Sequence, residues 1–245
     1  MNPEIDNALC RSSVYAALSL AFGPPDAEVV ERLASREGGQ HLRDALDALG
    51  LDLSVIAFEP PYPEADLPAL SERNVQLFGH TAHGLVVPYE TEYGKDIAFL
   101  QPQELADIGG FLAAFGLGLD AELHQRIDHV QCECELMAVL ARKEAYALEA
   151  DDVAMLEETR KAQRLFLRDH LGRFGLAFGT SLSRADSAGF YGAIGRVVAR
   201  LVEYDCARVG ITAGSEELGL RVVLDDGTSM ACGGSDACAI EGCPT

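Results

Sequence analysis

DHVQCECELMAVLARKEAY, residues 128–146, predicts a helix. Residues three and four positions apart lie on the same face of a helix. His129, Glu133, Leu136 and Leu140 would share one face of this helix, and Val130, Cys134, Met137 and Ala141 the next. We expect one face to pack in a core. The first turn, with Asp128 and His129, should lie beside the long non-helical segment at residues 79–101.

Apolar residues recur at the same spacing along most of the chain, and glycine or proline clusters separate the helical segments. The predicted helices cover residues 5–22, 27–34, 40–49, 67–78, 102–115, 125–149, 151–171 and 190–210. A short strand at 220–224 is compatible with the pattern, but glycine and cysteine dominate the last residues. The sequence therefore predicts an all-α fold, with one helical domain at 1–210 and a non-helical, cysteine-containing tail at 211–245.

The balance of charges restricts the partners of the chain. Lys and Arg number 19 against 39 Asp and Glu, a formal net charge of -20. Such a surface repels nucleic acids and anionic lipids and attracts cationic segments, although it also simply favours solubility. No apolar stretch has the length of a membrane span, and the N-terminus does not resemble a signal peptide. We therefore expect a cytoplasmic protein without a membrane span or a nucleic acid partner.

Residues 79–101 form a long segment without helical periodicity, in which glycines and a proline alternate with aromatic and acidic residues. Loops of this length inside a compact domain are usually functional or disordered. This segment is too rich in aromatic and aliphatic residues for disorder. We interpret it as an ordered, functional loop and call it the acidic loop.

Familiar catalytic motifs are missing from the sequence. It has no zinc-protease HExxH, no Glu-x-x-His pair of a di-iron bundle, no phosphate-binding glycine loop and no GxSxG nucleophile motif. His80 and His83 supply only half of a metal site. A small helical hydrolase or nucleotide-binding enzyme therefore lacks support, and we expect a protein without catalytic residues or a cofactor.

Seven cysteines leave one alternative open. The odd number and the absence of an export signal indicate reduced thiols rather than disulfides. Cys232, Cys238 and Cys243 lie among glycines in the tail, either as free thiols or, with a fourth ligand, around zinc or an iron–sulfur cluster. The alternative function is thus a metal- or iron–sulfur-binding accessory protein that acts through this tail.

Three blocks carry a resemblance to a known family: ERNVQLFGH at 72–80, PYETEYGKDIAFLQPQELADIGGFLAAF at 88–115, and DHVQCECELMAVLARKEAY at 128–146. Together they resemble the TorD/DmsD/NarJ superfamily of redox-enzyme maturation chaperones, most closely the branch that serves type II enzymes of the DMSO reductase family. The likeness spans about 14–204. Cys132 and Cys134 replace aliphatic residues usual in the family, a mild change because free cysteine behaves as a small hydrophobic residue.

The resemblance implies an all-helical chaperone without a reaction of its own. Its partner would be the molybdopterin-containing catalytic subunit of a molybdenum oxidoreductase, bound through its twin-arginine leader, its body or both. The chaperone would assist cofactor insertion and assembly before export. The predicted client-binding residues are Gly79, His80, Pro88, Tyr89, Glu90, Glu92, Tyr93, Asp128, His129 and Glu133.

The chemistry of these residues suits such a client. The tyrosines offer broad contact area, and the carboxylates of Glu90 and Glu92 match a pair of guanidinium groups. In the alternative interpretation the tyrosines anchor the acidic loop to the core and the glutamates face water. Asp128 would then cap the following helix, and His129 would bond a backbone carbonyl.

Overall fold

The computed structural model describes residues 2–60, 62, 66–79, 84–94, 101–119, 126–214 and 218. Within these ranges the chain is helical and contains no strand, so the predicted all-α fold is confirmed. The helices are α1 Pro3–Phe22, α2 Ala27–Val29 with a π-helical turn Val30–Ala34, α3 Arg36–Ala48, α4 Leu53–Ile56, α5 Leu67–Phe78, α6 Gln101–Ala114, α7 Val130–Glu149, α8 Val153–Asp169, α9 Leu171–Ala185 and α10 Phe190–Arg208.

Helix α7 lies in the middle of the fold. It packs most extensively against α1, and also contacts α8 and α9. Both of its apolar faces are therefore buried, including Leu136, Met137, Leu140 and Ala141. Our expectation that a single face packs was wrong, because neighbouring helices cover α7 on both sides.

A buried polar network joins four helices. Arg11 of α1 is only 1% exposed and forms ion pairs with Glu144 of α7 and, at 3.3 Å, with Asp205 of α10. Its guanidinium also donates to Gln163 Oε1 of α8 at 3.1 Å. A buried charge is tolerated only when it is paired and hydrogen-bonded, as it is here.

Helix α9 was absent from the sequence prediction, which ended a helix near residue 171 and placed the next at 190. Glycine lowers helix propensity, and this segment carries Gly172, Gly175 and Gly179. The structure explains them by the close approach of α10. A Cβ on Gly179 would lie 2.5 Å from the carbonyl oxygen of Gly195, and one on Gly175 would lie 3.1 Å from Val202.

Several helix boundaries differ from the prediction: the helix predicted at 40–49 is α3, which begins at Arg36, and the short helix α4 was not predicted. The helix predicted to begin at 125 begins at Val130, and the one predicted to end at 171 ends at Asp169. Of the predicted tail, residues 211–214 and 218 are described, and the amide of Gly214 bonds the carbonyl oxygen of Gly172 at 2.7 Å. The predicted strand at 220–224 lies outside the described residues.

No helix in the described part of the chain is both long enough and apolar enough to span a bilayer.

Candidate functional site

The described part of the acidic loop, residues 84–94, lies against the start of α7. The amide of Glu90 donates to the carbonyl oxygen of Asp128, and the amide of Val130 donates to that of Pro88, both at 2.9 Å. Tyr89 and His129 thus form an isolated antiparallel bridge. The structure brings together the two segments that we expected to be neighbours.

Two further contacts fasten the loop to the core. Tyr93 is buried, its ring lies 5.5 Å from that of Phe174, and its hydroxyl donates to the carbonyl oxygen of Val87 at 2.8 Å. Gly79 ends α5 with a φ of 71°, a conformation that favours glycine. Gly79 and Tyr93 therefore shape the loop, and His80 lies outside the described residues.

Arg126 binds the residues around the bridge. Its guanidinium donates to both carboxylate oxygens of Asp128, at 3.0 and 2.8 Å, and to Glu92 Oε1 at 3.2 Å. It also donates to the Thr91 hydroxyl at 2.8 Å and lies 4.3 Å from the centre of the Tyr89 ring. The acidic and aromatic groups expected to bind arginine thus hold an arginine of this chain.

Asp128 and His129 have different roles from those in the capping interpretation. His129, not Asp128, is the N-cap of α7: its Nδ1 accepts from the amide of Gln131 at 3.1 Å. Burial lowers the pKa of His129 to about 4, which keeps the capping nitrogen free to accept. Asp128 is completely buried and accepts from the Thr91 hydroxyl at 2.7 Å as well as from Arg126.

Glu90 is buried and pairs with a histidine that sequence reasoning missed. His170 Nδ1 lies 3.1 Å from Glu90 Oε2, and its Nε2 lies 3.2 Å from Asp107 Oδ2 of α6. Burial acts to lower the pKa of His170, but the hydrogen bond and charge of Glu90, together with Asp107, outweigh it and raise this pKa. In its protonated form the imidazole ring donates to both carboxylates and links the acidic loop to α6.

Glu133 occupies a buried position next to these groups. It is 1% exposed, and neither carboxyl oxygen has a hydrogen-bond partner among the described residues. Burial, followed by the charge of Glu90, raises the pKa of Glu133 well above its ordinary value. Both effects favour the protonated, neutral form of this carboxyl.

An apolar groove lies on the far side of His170, between α6 and α8. It has a volume of about 350 Å³, and Phe111, Phe115 and Leu165 are among the residues that line it. Asp107 stands at its edge and is the same residue that His170 bonds. His170 and Asp107 therefore connect Glu90 of the acidic loop to this groove, which we call the α6–α8 groove.

The predicted site residues differ in their exposure. Pro88, Glu90, Tyr93, Asp128, His129 and Glu133 are buried, whereas Gly79, Tyr89 and Glu92 are partly exposed. Sequence reasoning missed Thr91, Asp107, Arg126 and His170. Arg126 alone gave a usable signal, as an isolated cation two residues before Asp128 in a strongly acidic chain.

Within the described residues no group of histidine, cysteine and acidic side chains is arranged to hold a metal ion. Burial raises the pKa of Cys132 to about 11 and that of Cys206 to about 12, so these thiols stay protonated. Cys232, Cys238 and Cys243 lie outside the described residues.

Comparison with known proteins identifies the family of the chain. The chain is 29% identical over 172 residues to the perchlorate reductase assembly chaperone protein of Dechloromonas aromatica (strain RCB). The alignment covers 69% of this chain and 75% of that protein. The model of the nitrate reductase delta subunit family matches residues 34–178, more than half of the chain, including the acidic loop and most of α9. The chain therefore belongs to the nitrate reductase delta subunit family, and with it to the redox-enzyme maturation chaperones that its sequence resembles.

Proposed function

We propose that this protein is a cytoplasmic chaperone that binds the catalytic subunit of a molybdopterin-containing reductase and assists its assembly before export. Family membership supports the chaperone role, and the similarity to a perchlorate reductase assembly chaperone supports a redox enzyme as the client. The observation that carries the proposal is the pairing of the acidic loop with the start of α7, because it builds an arginine-binding surface from the residues predicted to contact the client.

The exposed part of this surface makes first contact with the client. Tyr89 and Glu92 are partly exposed, and Glu92 has 23% of its side chain accessible. Glu90, Asp128 and His129 are buried and hold those two residues in place through the loop. The client-binding role is therefore divided between contact residues at the surface and positioning residues beneath it.

A cationic peptide with an apolar stretch fits this division. Its arginines are complementary to the carboxylates, and the α6–α8 groove, which is connected to Glu90 through His170 and Asp107, offers an apolar surface. Aromatic rings and arginine–carboxylate pairs are typical energetic centres of protein interfaces. The twin-arginine leader of the client combines both features.

The test is calorimetric titration with the molybdoenzyme catalytic subunit encoded nearest to this chain, used whole and as its N-terminal leader peptide. Tyr89→Ala and Glu92→Gln should each weaken binding at least about tenfold, because each removes a partner at a partly desolvated contact. Binding should also weaken as salt rises, because the charges lie near the surface.

Matched controls come from α7. Tyr146 is 60% exposed near the end of the helix, and Glu135 is exposed on its outer side. Tyr146→Ala and Glu135→Gln should bind like the wild type. Wild-type affinity in the Tyr89 and Glu92 variants, for both the leader and the whole subunit, would remove this surface from the proposal.

A further inference from the structure

Each nitrogen of the Arg126 guanidinium donates at least one hydrogen bond to an oxygen of the site. Nε and Nη2 bond the two oxygens of Asp128, Nη1 bonds Glu92, and Nη2 also bonds Thr91. The Tyr89 ring covers the face of the group at 4.3 Å. A planar fork that binds a carboxylate through two bonds and stacks on an aromatic ring is specific to arginine, because an ammonium group cannot do both.

Burial shows which parts of this arrangement are fixed. Asp128 and Thr91 are completely buried, whereas the Arg126 side chain is 40% exposed. The carboxylate thus forms the floor of the site, and the guanidinium covers it from the solvent side. The exposed side of the Arg126 guanidinium is therefore where an incoming arginine would meet the site.

The charges of the site favour an additional cation. Asp128 and Glu92 contribute two carboxylates, and among the described residues Arg126 is the cation paired with them. The nearby His129 is neutral in its capping role, since its Nδ1 accepts a hydrogen bond. With Arg126 in place the site still carries an excess negative charge, which attracts a cationic peptide.

We infer that Tyr89, Thr91, Glu92 and Asp128 form a guanidinium-binding site that Arg126 fills in the free chaperone and yields to an arginine of the client. The inference rests on the proposed function. Exchange of one arginine for another keeps the buried Asp128 carboxylate paired throughout, so capture of the client does not leave an isolated buried charge. Arg126 therefore acts as a competitor within the chain and sets the affinity for arginine-bearing segments.

The experiment uses two synthetic peptides, each with a short alanine–leucine stretch, one preceded by two arginines and the other by two lysines. When its own arginine fills the site most of the time, the apparent affinity for a ligand falls in proportion to the fraction of time that the site is open. Arg126→Ala should therefore bind the arginine peptide at least about tenfold more tightly than the wild type does. Its affinity for the lysine peptide should change much less.

Arg160→Ala is the matched control. Arg160 has 41% of its side chain exposed and also pairs with two carboxylates, those of Glu4 and Glu144. It lies on α8 and touches none of the proposed site residues. Arg160→Ala should bind both peptides like the wild type, and ethylguanidinium, but not ethylammonium, should compete with the arginine peptide on Arg126→Ala.

A readout on the unaltered chain covers the case in which Arg126→Ala does not fold. With ¹⁵N-labelled arginine, the Nε–H resonance of Arg126, assigned with Arg126→Lys, should move or broaden when the arginine peptide is added, and not with the lysine peptide. An Arg126 signal that stays fixed while the peptide binds would overturn the exchange. So would an Arg126→Ala protein that folds and binds the arginine peptide no more tightly than the wild type.

Failure of the proposed function and failure of the arginine exchange give different results. If the wild type binds neither the arginine peptide nor the whole catalytic subunit, the proposed function fails. If the wild type binds the client and Arg126 does not respond, the client-binding function stands and Arg126 is a fixed structural ion pair.

Discussion

His170 Nδ1 lies 3.1 Å from Glu90 Oε2, an ion pair with both side chains almost fully buried. The second ring nitrogen of His170 meets Asp107, whose side chain is 60% exposed. This histidine at the start of α9 therefore joins the acidic loop to α6, and its charge decides how firmly the loop is held.

The first prediction concerns pH. The pKa of His170 is raised in the folded chain, so the stability that its charge contributes is complete below the unfolded value of about 6.5 and is lost as pH rises through the folded value. The free energy of unfolding should therefore fall above about pH 6.5, by at most about 1.4 kcal/mol per pH unit for this proton.

Urea unfolding between pH 6 and 9 measures this slope. His170→Gln, which keeps a hydrogen-bonding side chain without the titration, should show a shallower dependence. Equal slopes in the two proteins would mean that the histidine does not carry charge in the folded state.

Glu133→Gln should stabilise the protein increasingly as pH rises. The folded pKa of Glu133 is raised, so at pH values above about 4.3 the unfolded chain ionises this carboxyl while the folded chain keeps it protonated, which costs stability. Glutamine removes that cost and has the same shape. We expect the gain to be larger at pH 8 than at pH 5.

Thermal and urea unfolding of the variant at the two pH values provide the measurement. Glu135→Gln, an exposed neighbour on the same helix, should give no pH-dependent gain. A Glu133→Gln protein with the wild-type pH profile would show that Glu133 is ionised when folded.

Sequence reasoning identified the fold because apolar spacing is local information. It identified the neighbourhood of the acidic loop and the start of α7 through the resemblance of those blocks. It could not predict the contact between Glu90 and His170, since 80 residues separate them and only the packing of α9 brings them together. It also missed α9 itself, because the same glycines that allow the close contact with α10 weaken the local helical signal.

Gly179→Ala tests that explanation of α9. The new methyl group would lie 2.5 Å from the carbonyl oxygen of Gly195, and the two helices would have to separate. We expect a loss of about 2 kcal/mol or more of unfolding free energy, as for other overpacked sites.

Gly110→Ala on α6 is the control for helix propensity. A Cβ there meets no atom within 4 Å, so the change should stabilise the protein by about 0.5 to 1 kcal/mol. Similar effects of the two substitutions in chemical denaturation would contradict the close-packing account.

The tail prediction separates the chaperone from the metal-binding alternative. The described helices bury a large apolar cluster, which we expect to suffice for folding, so changing Cys232, Cys238 and Cys243 together to serine should leave the melting temperature within about 2 °C of the wild type. Metal analysis of the purified wild type is the companion measurement. Near-stoichiometric zinc or iron, lost in the triple variant together with stability, would favour the accessory protein that acts through its tail.

The last prediction concerns the buried network around Glu144. Its carboxylate pairs with Arg11, with Arg160 at 2.8 Å and with Arg208 at 3.6 Å, and accepts from Gln163 at 3.0 Å. Burial acts to raise the pKa of Glu144, but the charges of Arg11 and Arg208 outweigh it and lower this pKa to about 2. Glu144 is thus ionised in the folded chain.

Glu144→Gln should cost about 3 kcal/mol at neutral pH, because it leaves the buried Arg11 with a reduced set of negative partners. A depressed pKa contributes stability that is present above the unfolded value of about 4.3 and is lost as pH falls toward 2, so the wild type, but not the variant, should lose this contribution in that window. Glu28→Gln is the matched control, since Glu28 pairs with Arg32 at the surface with 53% of its side chain exposed, and it should change stability by less than about 1 kcal/mol. The measurement is denaturant unfolding of the wild type and the two variants at pH 7 and at pH 3.5. If Glu144→Gln loses no more unfolding free energy than Glu28→Gln, the network does not stabilise the packing of α1, α7, α8 and α10.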